Sequence, residues 1–206
     1  MEHSVATAET SRSVTRPELL DAQGHVCAFF HSVEEEYVVL LPFIKEGLDR
    51  GERVFHIVDP AQRNEHVGRL AQAGIDVDGA EACGQVVVLD WSQTFLSGGP
   101  FDQERVMAQF AGVREAGRGQ GFARTRFVSH MEWALDEGIR DTLAKYEATS
   151  NLAPLDGDVA ICTYQIARWG GQLLVSALRT HPLVILGGLL HENPFYERPA
   201  LMAVSS

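Results

Sequence analysis

Short, nearly continuous apolar runs alternate along this chain with longer stretches whose apolar positions recur at helical spacing. The run 26–31, Val-Cys-Ala-Phe-Phe-His, has the character of a strand buried on both faces of a parallel sheet. Ser32 followed by Glu35 fits a capping box that opens a helix ending near Asp49. Tyr37, Leu40, Leu41, Ile44 and Leu48 form its apolar stripe; Pro42 predicts a kink and Gly51 a stop. Runs 53–59, 85–91, 124–130, 158–164 and 183–186 predict five further strands, and 60–73, 102–116, 139–149 and 166–179 predict helices. Segments 74–84 and 97–100 read as loops, and the glycines of 117–121 as a break. Strands alternating with helices imply an α/β fold, a three-layer α/β/α sandwich with a mainly parallel central sheet. The strand order does not follow from this pattern. Residues 1–22 lack apolar periodicity and read as a flexible N-terminal leader, leaving 23–206 as a single domain.

Composition narrows the class. A chain of 206 residues suits one α/β domain. A formal charge of −11 opposes direct nucleic-acid binding, which requires a basic face. No apolar run approaches the ~20 residues of a membrane span, and the start lacks a secretory h-region. Cys27, Cys83 and Cys162 are odd in number and widely spaced, which disfavours a disulfide framework or a structural zinc module. The expectation is a reduced, soluble, cytoplasmic protein.

The first strand and helix meet where a nucleotide-binding α/β protein carries its glycine-rich phosphate loop. Here the junction holds Ser32, Glu34, Glu35 and Glu36. A helix N-terminus attracts anions, and these carboxylates fill that role themselves while repelling a triphosphate. No G-x-x-x-x-G-K-[ST], no G-x-G-x-x-G after a strand and no G-x-S-x-G elbow occurs. Open parallel sheets bind ligands at the carboxyl ends of their strands. Those ends supply Phe30 and His31, Asp59, Asp90 and Trp91, His130 to Trp133, and Tyr164 with Gln165. Such an aromatic rim with a few carboxylates suits a small, partly apolar ligand, the alternative being that the aromatics cover the core. His25 and His31 bracket one strand, roughly 20 Å apart, and cannot share a metal. Cys27 and Cys162 become neighbours if the first and fifth strands pair, and then read as core thiols. His31 with His130 is the histidine pair a metal would use; no metal and no cofactor is assigned. No nucleophile sits at a recognisable spacing from a base, so the protein is not expected to be an enzyme.

Several segments carry a resemblance: HVCAFFHSVEEEYVVLLPFIKEGLDRGERVFHIVD at 25–59, FVSHMEWAL at 127–135, Cys162 to Tyr164, Thr180 to Ile185, and Asn193 to Tyr196. In this order they resemble the MEDS domain, named for methanogen and methylotroph proteins and the sensory part of a dichloromethane-responsive repressor. The resemblance spans about residues 24–197. It implies a RecA/KaiC-like fold without the Walker A phosphate loop and a sensory role toward hydrocarbon derivatives. It also implies that a stand-alone domain signals to a separate transcription, kinase or anti-sigma-type partner; a homodimer is compatible with this. Carried over residue by residue, Phe30, His31, Trp91, Glu132, Trp133 and Tyr164 line the ligand pocket, with Glu35 and Asp59 as polar contacts. His25, Cys162 and His181 match motif positions too; His25, at the far end of its strand, reads as structural. His130 stands where relatives often carry a small or acidic residue, which implies a different ligand preference. A metal or redox sensor using His and Cys residues, or a degenerate nucleotide-binding protein, are the alternatives.

Overall fold

The computed structural model describes residues 19–20, 23–136, 138–153 and 155–199. The expected leader therefore lies outside the described residues except for Leu19 and Leu20, and Leu20 is packed into the core. Seven strands form one sheet: β1 (His25–Phe30), β2 (Arg53–Val58), β3 (Val86–Asp90), β4 (Thr125–His130), β5 (Val159–Gln165), β6 (Leu183–Leu186) and β7 (Leu189–Glu192). Their order is β3-β2-β4-β5-β1-β6-β7. All neighbours are parallel except β6 and β7. β1 lies between β5 and β6 and is buried along its whole length, which explains its unbroken apolar character.

Side-chain alternation sorts the strands onto two cores. Val26, Ala28 and Phe30 of β1 join Val54, Val58, Val128 and Ile161 on the first face. Helix α1 (Val33–Asp49) covers this face with Val39, Leu40, Phe43 and Ile44, alongside α2 (Arg63–Gln72) and α3 (Val77–Ala82). On the second face Cys27 and Phe29 join Phe55, Ile57, Phe127, Cys162 and Tyr164. There they meet α4 (Gln103–Gly119), α5 (Trp133–Asp136), α6 (Arg140–Ser150) and α7 (Gly171–Thr180). The expected three-layer sandwich is the observed one.

Three local features depart from expectation, while α1 spans Val33–Asp49 with Pro42 inside it. The expected loop 74–84 contains α3, whose N-cap Asp76 accepts a hydrogen bond from the Gly79 amide. α4 continues through Gly117, which packs so closely against Arg53 that a Cβ there would lie 3.0 Å from the guanidinium. A seventh strand, β7, folds back on β6 through Gly187 and Gly188, both with positive φ (56° and 74°), as a two-residue hairpin turn requires. Among the described residues no helix is long and apolar enough to cross a membrane.

Candidate functional site

Only His31 and Ser32 separate β1 from α1, so the chain turns from strand to helix with no phosphate-binding loop. Ser32 caps the helix, its Oγ accepting the Glu35 amide at 3.1 Å. The Glu35 carboxylate accepts the His31 amide at 2.7 Å, one residue earlier than in the usual capping box. The protein's own carboxylate thus occupies the backbone donor that would otherwise meet an anion. Glu34 points the other way, toward Arg69.

Glu36, one residue further, is buried on the first face. Its Oε1 lies 3.0 Å from Nε2 of His130 at the carboxyl end of β4, and its Oε2 accepts Gln165 Nε2 at 2.7 Å. Burial opposes charge on both partners, but their mutual attraction wins. His130 is held above the ordinary histidine range and Glu36 below the ordinary carboxylate range. Beside them runs a chain of neutral groups. Tyr37 Oη lies 2.6 Å from His66 Nδ1, and His66 Nε2 lies 2.8 Å from His56 Nδ1. Burial, reinforced by the His130 charge, pushes His56 down to about 3, and burial with the neighbouring imidazoles pushes His66 well down. The carboxyl end of the sheet is therefore filled by paired polar side chains.

On the second face, toward the amino ends of β1 and β5, lies a cavity of 590 Å³. One wall is apolar, with Phe95, Met107, Phe110, Phe127, Met131 and Tyr146; polar and charged residues, among them His25, Arg114, Glu147, Asp158 and Arg198, line the rest together with Cys162. Glu147 of α6 reaches His25 Nε2 at 3.3 Å and His181 Nε2 at 3.5 Å, both through Oε2. Its Oε1 accepts the Tyr164 hydroxyl at 3.2 Å. Cys162 Sγ lies 3.6 Å from His25 Nε2 and 3.9 Å from Glu147 Oε2. All four residues are buried. Burial and the Glu147 charge push the Cys162 thiol up; burial and His25 push His181 down to about 3. The four donor atoms lie within 4.8 Å of one another, the set among the described residues that could converge on a metal ion.

None of the eight residues expected to line a pocket lines this cavity. Phe30 is buried on the first face, whereas Trp91, Trp133 and Tyr164 are buried on the second. Trp91 Nε1 donates to the His130 carbonyl, and Trp133 stacks on Phe95 and Phe101 at 4.6 and 4.9 Å. Glu132 is buried and accepts hydrogen bonds from the Gln165 amide and Trp169 Nε1. Glu35 caps α1, and Asp59 caps the turn after β2 by accepting the Ala61 amide. His31 is exposed while His130 is buried against Glu36, so the histidine pair considered for a metal is not one donor set. Cys27 and Cys162 are indeed register partners of β1 and β5, and both thiols are free. Sequence reasoning set His25 aside and did not single out Glu147. A signal existed: Glu147 falls on the buried stripe of α6 with Leu143 and Tyr146, a carboxylate where an apolar residue is expected.

Strand order, a parallel sheet covered on both faces and a first strand that enters its helix directly define a RecA-type domain without a phosphate loop. The crystal structure of a KaiC-like protein from the hyperthermophilic archaeon Pyrococcus horikoshii OT3 shares this fold. It is 17% identical, with a TM-score of 0.51 over 79% of this chain and 70% of that one. A search of curated proteins returned no match. The profile of the MEDS family, the methanogen/methylotroph, DcmR sensory domain, matches residues 24–182. The chain belongs to that family of sensory domains.

Proposed function

We propose that this domain is a non-catalytic sensor that binds a small, partly apolar molecule in the 590 Å³ cavity and reports occupancy to a separate signalling protein. The observation that carries this reading is the cavity itself: a concave volume with an aromatic and Met wall facing polar and charged groups, able to hold a small molecule that has both apolar and polar parts. Family membership supports the sensory role; hydrocarbon derivatives are the ligand class that the resemblance implies. The partner is of the transcription, kinase or anti-sigma type. The carboxylates at the β1–α1 junction disfavour a nucleotide.

The test is thermal unfolding against a series of small alcohols, amines and halogenated hydrocarbons. A cavity ligand raises the melting temperature with concentration, and at 100 times its dissociation constant it adds about 2.7 kcal/mol. Ser129 lines the cavity, and Ser129→Leu is expected to abolish the response while the domain stays folded. A response that survives this filling places the ligand elsewhere and overturns the reading.

A further inference from the structure

The hydrogen-bond partners of the two imidazoles beside Glu147 fix their tautomers. His181 Nδ1 lies 2.8 Å from the Ala177 carbonyl, which only accepts, so Nδ1 carries the proton. The Asn151 amide nitrogen donates to the Glu147 and Thr180 carbonyls, which leaves its Oδ1 as acceptor. His25 Nδ1, 3.0 Å from that oxygen, is therefore also the protonated nitrogen. Both imidazoles turn Nε2 toward the same carboxylate oxygen, Oε2 of Glu147. The other oxygen is already engaged by Tyr164. His181 Nε2 is buried and has no hydrogen-bond partner. Two ring nitrogens and a carboxylate oxygen thus converge on one point, with the Cys162 sulfur at the fourth corner, a donor set that a cation can bridge.

The spacing agrees. Bonds of about 2.0–2.1 Å to nitrogen and oxygen and about 2.3 Å to sulfur, in tetrahedral geometry, set donor separations of about 3.3 Å and 3.6 Å. Here the nitrogen–oxygen separations are 3.3 and 3.5 Å, sulfur lies 3.6 Å from His25 Nε2 and 3.9 Å from Glu147 Oε2, and the remaining two separations, both to His181 Nε2, are within 4.8 Å. Each imidazole also donates its far N–H to a fixed oxygen, the outer-shell arrangement that orients metal-binding histidines. We propose that His25, Glu147, Cys162 and His181 bind a divalent transition-metal ion, zinc by the chemistry of the donors, at the edge of the cavity. Mixed imidazole, thiolate and carboxylate ligands at tetrahedral spacing suit zinc over magnesium or calcium, which prefer all-oxygen shells. The site stands on these four residues alone and does not depend on the cavity accepting an organic ligand.

The experiment uses chelator-treated, reduced full chain titrated with cobalt(II), and separately with zinc, in the absence of any organic compound. Expected are one bound ion per chain, the intense visible bands of tetrahedral cobalt, a thiolate-to-cobalt charge-transfer band, and a melting temperature that rises with zinc concentration. Cys162→Ala removes little volume. It is expected to stay folded, to lose the charge-transfer band and to weaken cobalt binding by more than about tenfold. Asn151→Ala frees the His25 ring and is expected to weaken binding with the charge-transfer band retained. A wild-type chain that neither takes up cobalt nor gains stability from zinc overturns the site. So does a Cys162→Ala chain with unchanged cobalt spectrum and affinity. Failure of the small-molecule screen leaves each of these outcomes untouched.

Discussion

Nε2 of His130 lies 3.0 Å from Oε1 of Glu36, a buried ion pair joining the carboxyl end of β4 to the first turn of α1. It stands at the place where a related fold would hold a phosphate group, and it makes stability depend on pH in two directions. His130 is held above its ordinary value, so its contribution is complete below about pH 6.5 and is lost as pH rises through the raised value. His56 and His66 are pushed down, so below about pH 6.5 the unfolded chain binds protons that the native one refuses. Stability is therefore expected to peak near pH 6.5 and to fall on both sides. Urea unfolding from pH 5 to 9 measures this. His130→Gln is expected to cost about 3–5 kcal/mol and to remove the decline on the alkaline side. A variant that keeps that decline assigns it to another group.

The junction between β1 and α1 predicts indifference to nucleotides. Magnesium–ATP is expected to leave the melting temperature unchanged, and no ATP turnover is expected. Measured turnover that disappears in Glu132→Gln or Asp59→Asn would overturn this. Ser32→Ala removes the acceptor for the Glu35 amide and is expected to lower stability by about 1 kcal/mol, read from denaturant midpoints.

Two helical glycines with the same intrinsic propensity are expected to respond with opposite signs. Gly112, within α4, has open space where a Cβ would stand, so Gly112→Ala is expected to stabilise by about 0.5–1 kcal/mol. Gly47, within α1, would place a Cβ 2.7 Å from Arg126 Cδ and Nε. That side chain cannot swing away: it is paired with Glu52, bonded to the Phe43 carbonyl and laid over the Phe43 ring. Gly47→Ala is expected to destabilise by about 1–3 kcal/mol in the same assay.

Trp133 is fully buried between Phe95 and Phe101. Trp133→Ala is expected to lower stability by about 3–5 kcal/mol, the usual cost of emptying such a site. Loss of ligand response with stability intact would instead make this indole a binding residue.

Much of the architecture was legible because one periodicity dominates each segment. β1, flanked by β5 and β6, shows as an unbroken apolar run, and α1 shows as a capped stripe. The hairpin at Gly187 and Gly188 was missed because β7 is short and ends in His191 and Glu192, both exposed, so no apolar run marks it. The donor set was missed for a deeper reason. His25 and Cys162 are 137 positions apart and meet only because β5 lies beside β1, a neighbourhood that hydrophobic spacing along the chain does not encode. The carboxyl-end rule pointed to a rim, yet Glu36, His130 and Trp91 close that end with their own contacts, and the open volume lies at the opposite ends of the strands.

The two residues between β1 and α1 also determine what this scaffold can become. A phosphate loop of the G-x-x-x-x-G-K-[ST] type needs about eight residues to wrap its amides around an anion, and His31 with Ser32 cannot be stretched into one by exchanging side chains. Placing a lysine at Glu35 or Glu36 would break the cap or strand His130 without creating any cradle. Return to nucleotide chemistry would take an insertion and a rebuilt helix start together, a change in chain length that point mutation cannot approach step by step.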